Sequence, residues 1–333
     1  MELSVHDLVT QNENVSNSEL FEDTKKLVKA TDKMGYKRYW FSEHHGVSQV
    51  FSTSPEILVA YFSSLTENIR LGTGGTMIMH YSPLEIAEKF KELSYMAPGR
   101  IDIGLGRAPG GGVEEIFALS QGSYNIDQDL YEKIEVILAY LQDKTPYNKL
   151  YASTKAYPEK NDYLIEPWLL GSSGSSSKKA GEMGLGYSFA KFFSVDTPNF
   201  VFDTYRDSFR PSNFFDKAQL SVSYKILVTD TKEELEYLGK AFDYGQVKWG
   251  KKGMKYLPNP ESVKDYKFTP FEEDKLRNDY GKRFIIKGTK GQVADILENE
   301  IKTIGMDEIL VYTPIWGVEN RIKSYKLLKE IFD

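Results

Sequence analysis

Short runs of β-branched and aromatic residues alternate with stretches whose apolar positions recur every three to four residues, and the alternation continues to the C-terminus. Residues 3–5 open the chain as a strand. Residues 20–34 follow as a helix, with Leu20, Phe21, Leu27, Val28 and Met34 on one stripe. Residues 39–42 form a short strand, and 55–65 a helix in which Ser54 before Pro55 makes a cap and first-turn pair. Strands at 71–79 and 101–105 bracket a helix over 83–96, which Pro98 and Gly99 stop. Residues 108–112, with Pro109 and three successive glycines, sustain neither regular element and read as loop. A helix resumes near Asp129 and runs to Leu141, and 143–166 reads as a long surface connection. Further strands fall at 168–170, 186–190, 221–228 and 308–312, with helical patterns beginning at Lys178, Phe200, Lys232, Gly291 and Val318.

Eight strand–helix alternations in one chain fit an α/β fold of the (β/α)8 TIM-barrel type with insertions. An open doubly wound sheet usually carries only about five or six strands. Residues 1–333 read as a single domain. Residues 244–284, rich in Lys, Tyr, Gly and Pro and without a stripe, read as a long loop between the seventh and eighth strands, of the kind that serves as a lid.

Composition narrows the function. The chain of 333 residues is 41% hydrophobic, enough for a sizeable core. Its 42 Lys and Arg against 48 Asp and Glu give a net charge of -6, so no electrostatic case exists for a nucleic-acid partner. The absence of cysteine removes disulfides, thiolate metal sites and Cys nucleophiles. No apolar run approaches the roughly 18 residues that cross a bilayer. Glu2, His6 and Asp7 stand where an export signal would be basic and then apolar, so a cytoplasmic protein with no membrane partner is expected.

All four histidines, His6, His44, His45 and His80, follow predicted strand ends, which in a barrel share the C-terminal face where active sites sit. With Glu43 they also suggest a metal set. Adjacent His44 and His45 should point apart, however, and only His6 occupies the first strand, so no metal is expected. Gly104, Gly106 and Gly110 do not make a dinucleotide fingerprint, because Pro109 stands at the third-glycine place. Arg107, beside permissive glycines, reads either as a fork for an anionic or electron-rich ligand or as a surface residue. The turn Gly171-Ser172-Ser173-Gly174-Ser175-Ser176-Ser177 between strand and helix offers amides, hydroxyls and a helix start to a phosphate, with a flexible linker as the alternative. Gly72, Gly74 and Gly75 either let a flat ring lie on the backbone or mark a bulge.

Taken together, three segments resemble the bacterial luciferase-like flavin-dependent monooxygenases, the alkanal monooxygenase-like group. They are Tyr39-Trp40-Phe41-Ser42-Glu43-His44-His45, then Arg70-Leu71-Gly72-Thr73-Gly74-Gly75, then residues 97–110 ending in Gly104-Leu105-Gly106-Arg107-Ala108-Pro109-Gly110. The resemblance extends through Trp168-Leu169-Leu170-Gly171-Ser172-Ser173 and residues 305–332. It implies a barrel that takes reduced FMN as co-substrate from a separate NAD(P)H:flavin reductase and activates O2 as a C4a-(hydro)peroxyflavin to oxidise a small organic substrate. Position by position, it makes His44 the catalytic histidine, managing protons with a pKa near neutrality, with Glu43 to orient it. Gly74 and Gly75 fall beside the isoalloxazine, Arg107 becomes a flavin-site arginine, and Ser172, Ser173 and Ser176 hold the phosphate. It further implies a homodimer through helices of the first barrel half, where Tyr61, Phe62, Phe90 and Tyr95 would meet the partner. The chain departs from the family at Gly110-Gly111-Gly112-Val113, in place of a Thr-Asp-Gln-like loop. It departs again at Lys191-Phe192, where a Ser-His pair is common, and it shows no basic phosphate ligand in 122–130. A deazaflavin-dependent hydride-transfer oxidoreductase and a non-catalytic flavin-binding protein of the same fold are the alternatives, and the retained His44 argues against the second.

Overall fold

The computed structural model describes residues 1–122, 129–160, 162–172, 174–193, 198–248, 255–279 and 285–333. Strands β1 (Glu2–Asp7), β2 (Arg38–Phe41), β3 (Arg70–Thr73), β4 (Thr76–Met77) and β5 (Ile101–Gly106) form the first half. Strands β6 (Glu166–Gly171), β7 (Gly186–Ala190), β8 (Leu220–Thr229), β9 (Ile285–Thr289) and β10 (Glu308–Tyr312) form the second. All pairings among the named strands are parallel, and β10 bonds to both β1 and β8, closing β1, β2, β3, β5, β6, β7, β8 and β10 into an eight-stranded barrel. These are the eight strands that the alternation predicts. β4 extends the β3 position against β5, and β9 is added outside the barrel on β8.

Alternation along the strands separates two interiors. Val5, Tyr39, Leu71, Ile103, Leu169, Val222 and Val311 belong to the main core, packed with residues of the surrounding helices. Trp40, Trp168 and Leu310 form a second cluster in the barrel lumen, the two indoles meeting edge to face at 5.6 Å. Below them, at the N-terminal ends of the strands, the buried Arg38 guanidinium donates to Glu308 (2.8 Å), Asp102 (2.7 Å) and Glu166 (3.2 Å). Arg70 takes the other oxygen of Asp102. This charged layer plugs the end of the barrel away from the candidate chemistry.

Helices α1 (Asn17–Lys33), α2 (Pro55–Ser63), α3 (Pro83–Met96), α4 (Val113–Leu119), α5 (Leu130–Leu141), α6 (Ser177–Glu182), α7 (Phe200–Ser208) and α8 (Lys232–Lys248), with Lys290–Ile304 and Val318–Phe332, follow their strands. Three points differ from the sequence reading. Helix α4 directly follows the 108–112 loop, in a stretch to which the pattern assigns no element, and is started by the Glu115 carboxylate accepting from the Gly112 N–H. Residues 244–284 are not one loop: α8 continues to Lys248, Pro260–Val263 and Pro270–Asp274 are short helices, and β9 begins at Ile285. Phe62 and Phe90 are buried in the core rather than offered to a partner, whereas Ile57, Tyr61, Tyr95 and Met96 are exposed. Among the described residues no helix is long and apolar enough to cross a membrane.

Candidate active site

The C-terminal ends of parallel barrel strands share one face, and the candidate residues gather there. On β1 the register sets His6 beside Trp40, so His6 turns into the lumen while Asp7 turns out. Asp7 is held by the Val9 N–H (3.0 Å), the Arg321 guanidinium (2.9 Å) and the Tyr39 hydroxyl, which fixes the strand end. The His6 Nε2 lies 2.8 Å from the Gly74 carbonyl and 2.5 Å from the Ser42 hydroxyl.

His44 follows β2, its backbone N–H donating to the Ser52 carbonyl at 3.1 Å. Its ring is largely withdrawn from solvent, and Nδ1 is buried without a hydrogen-bond partner. Burial, then the neighbouring His6 and His45 imidazoles, push its pKa down to about 4. The near-neutral value implied by the resemblance is therefore corrected: three imidazoles crowd one mouth, and a charge on His44 would be poorly solvated and repelled.

Glu43 is buried, and its carboxylate accepts from the His45 Nε2 (2.9 Å), the Tyr81 hydroxyl (2.5 Å) and the Met77 N–H (2.8 Å). Among the described residues it thus orients His45 and the β4 backbone, not His44. The His45 N–H donates to the Gly110 carbonyl at 2.7 Å, and the His80 Nε2 donates to the Pro109 carbonyl at 2.8 Å. The two histidines thereby hold the glycine loop after β5. Arg107, at the base of that loop, is exposed, and among the described residues its side chain makes no hydrogen bond or ion pair.

Between β3 and β4 the Gly74–Gly75 peptide is cis. A Cβ on Gly74 would lie 3.1 Å from the Trp40 Cβ and 3.2 Å from the His6 ring, and one on Gly75 would lie 3.0 Å from the Gly104 carbonyl. The pair is therefore a flush patch of backbone beside His6. After β6, the Ser177 N–H and hydroxyl both bond the Gly174 carbonyl, at 3.1 and 2.8 Å, closing the turn. Ser172 is exposed there, Ser176 Oγ lies 3.5 Å from the Tyr187 hydroxyl, and Ser173 is outside the described residues.

The opposite wall is one that sequence reasoning missed. Lys225 on β8 donates to Gln246 at 2.9 Å and lies 5.7 and 6.0 Å from the Phe192 and Tyr312 ring centroids. The signal was available: on β8, Ser221, Ser223 and Lys225 alternate with Val222, Tyr224 and Ile226, so the polar set faces the lumen. The structure brings His6, His44, Gly74 and Gly75 together, with Glu43, His45 and His80 around the glycine loop, and sets Arg107, Ser172 and Ser176 at adjoining strand ends.

Comparison with known proteins agrees with this geometry. Residues 1–308 match the family model for luciferase-like monooxygenases. The chain is 31% identical to a luciferase-like monooxygenase of Escherichia coli (strain K12), over 98% of this chain and 96% of the relative. It is 30% identical to N-acetyl-S-alkylcysteine monooxygenase of Bacillus subtilis (strain 168), over 98% and 97%. The crystal structure of apo-MsnO8 superposes with a TM-score of 0.89 at 27% identity, covering 99% of this chain and 98% of that one. The chain belongs to the luciferase-like monooxygenase family.

Proposed function

We propose that this chain is a monooxygenase that uses reduced FMN, delivered by a separate NAD(P)H:flavin reductase, and O2 to oxidise a small organic substrate. The observation that carries the reading is the side-chain-free Gly74–Gly75 backbone set beside His6 in the mouth, with His44 neighbouring His6, and with an exposed Arg107 and a Gly/Ser turn at the adjoining strand ends. A flat ring laid on this strand end would meet backbone rather than a side chain at positions 74 and 75. The amides and hydroxyls of Ser172, Ser173 and Ser176 suit the phosphate, and Arg107 suits an electron-rich edge of the ring. Bound reduced flavin supplies the electrons that activate O2.

The chain's own groups then orient, cover and move protons. His44, neutral at pH 7, is the residue of the mouth that handles protons. Glu43 is a positioning residue: it holds His45 and Met77, and through His45 the glycine loop. Residues 255–279, within the 248–282 interval, would serve as a cover over the mouth, anchored at its rim, while 249–254 and 280–282 lie outside the described residues. Leu257 exchanges backbone bonds with Gln11 and Glu13 after β1, at 2.7 and 2.9 Å, and the Glu13 carboxylate accepts from the Asn259 N–H at 2.7 Å. A homodimer through α2 and α3 would cover the exposed Ile57, Tyr61, Tyr95 and Met96.

The test is His44→Ala assayed with supplied reduced FMN. FMN binding should persist, while product formed per flavin oxidised should fall on the order of a hundredfold, with the missing oxygen appearing as hydrogen peroxide. Undiminished coupling would make His44 structural. Parallel spectral titrations with FMN and with a deazaflavin separate this reading from hydride transfer.

A further inference from the structure

We propose that His6 is a ligand-binding residue of the mouth, whose Nδ1 accepts a hydrogen bond from an O–H or N–H group of the organic substrate. It thereby selects substrates that carry such a donor beside an apolar body. The inference rests on the monooxygenase reading only for calling that ligand the substrate.

The tautomer follows from the neighbours. A carbonyl oxygen can only accept, so the contact of the His6 Nε2 with the Gly74 carbonyl at 2.8 Å places the proton on Nε2, and the Ser42 hydroxyl, 2.5 Å from the same nitrogen, is then a second acceptor of that N–H. In a neutral ring Nδ1 then carries a lone pair. Burial opposes protonation more strongly than the Gly74 bond and Asp7 favour it, so the ring stays neutral at pH 7.

Among the described residues that lone pair has nothing to bond. Nδ1 is buried without a partner, on a residue only 8% exposed. Buried polar atoms are paired in the great majority of cases, and an orphan calls for an absent partner. A Cβ on Gly74 would touch the ring at Cδ2 and Nε2, and in an imidazole the vertex opposite that edge is Nδ1. The ring therefore turns its bonded edge to the glycine patch and its free acceptor away from it. Phe192 and Tyr312 flank His6, with ring centroids at 6.2 and 6.4 Å, and the Lys225 ammonium lies over both. The Tyr312 hydroxyl is already engaged with Thr10 at 2.9 Å. An acceptor among aromatic walls describes a ligand with an apolar body and one donor.

The probes are benzyl alcohol and benzyl methyl ether, in which a methyl group replaces the hydroxyl hydrogen and removes the donor. Protein labelled with 15N-histidine should show His6 as the neutral Nε2–H tautomer, and benzyl alcohol should move the Nδ1 resonance while the ether does not. The alcohol should bind about tenfold more tightly, the scale of one hydrogen bond. In His6→Leu the two affinities should agree within about twofold. The proposal is overturned by an Nδ1–H tautomer, by an Nδ1 resonance that the alcohol leaves in place, or by a preference that survives His6→Leu. The wild-type resonances decide it even where His6→Leu does not fold. Repeating them without FMN separates the two readings, since a protein that binds no FMN but shows the alcohol shift loses the proposed function and keeps the His6 acceptor.

Discussion

The crowding of imidazoles in the mouth has a measurable consequence for stability. His44 has an ordinary value of 6.5 and a folded value of about 4, so between those limits the unfolded chain binds more protons than the native one. Stability from this group is complete above pH 6.5 and is lost as the pH falls towards 4. At pH 5 the two values correspond to a factor of about 30, or about 2 kcal/mol, relative to pH 7.5. Because the ring keeps some solvent contact, this figure is an upper bound.

The perturbation is His44→Gln, which keeps a polar group of similar reach but cannot take up a proton. Urea unfolding followed by circular dichroism at pH 7.5 and at pH 5 gives two stability differences, one for each protein. The wild type should lose about 1–2 kcal/mol more than His44→Gln over that interval. Other titrating groups contribute to both proteins and largely cancel. His6 does not cancel fully, since removing a neighbouring imidazole also eases its own protonation, and that adds to the difference in the same direction. Parallel losses in the two proteins would refute the assignment and return His44 to an ordinary solvated histidine.

Three other substitutions follow from the geometry. Arg38→Met strips the buried carboxylates of Glu308 and Asp102 of their shared partner and should cost about 3–5 kcal/mol in urea unfolding, part of it recovered by adding Glu308→Leu. Gly104→Ala would set a Cβ 2.1 Å from the Thr73 carbonyl, so soluble yield or unfolding free energy should fall by about 3 kcal/mol or more, whereas Gly291→Ala, with open space around it, should be tolerated. Ser176→Asp should weaken FMN strongly by like-charge repulsion while affecting riboflavin much less, a difference read by fluorescence quenching.

The barrel was legible in the sequence because its strands carry two different faces. Outward positions such as Val5, Leu71 and Val222 are apolar and β-branched or branched, and each run ends at glycine, proline or a polar cluster. What escaped lacked that contrast. Helix α4 turns Val113 and Phe117 to solvent, so no stripe points to a core, and three glycines precede it. The last turn of α8 contains Gly245, which reads as a break in sequence but is buried in the helix. Strand β9 is an addition outside the closed barrel, with no second buried face to print on its residues.

The site was legible in its residue types and illegible in its pairings. Strand ends mark out His6, His44, Gly74 and Gly75, but nothing in the spacing Glu43-His44-His45 says which imidazole receives the carboxylate. That depends on Tyr81 and the Met77 amide, brought in from another loop. Nor does any spacing predict a pKa of about 4, which comes from burial and from His6, 38 positions away along the chain. At pH 7 such a group is protonated in only about one molecule in a thousand. Among the described residues His44 and His6 each keep an unpartnered Nδ1, and neither ring is charged at pH 7. A site built that way favours ligands that bring their own protons, and a reaction carried out there must take its protons from the bound molecules or from water rather than from these imidazoles.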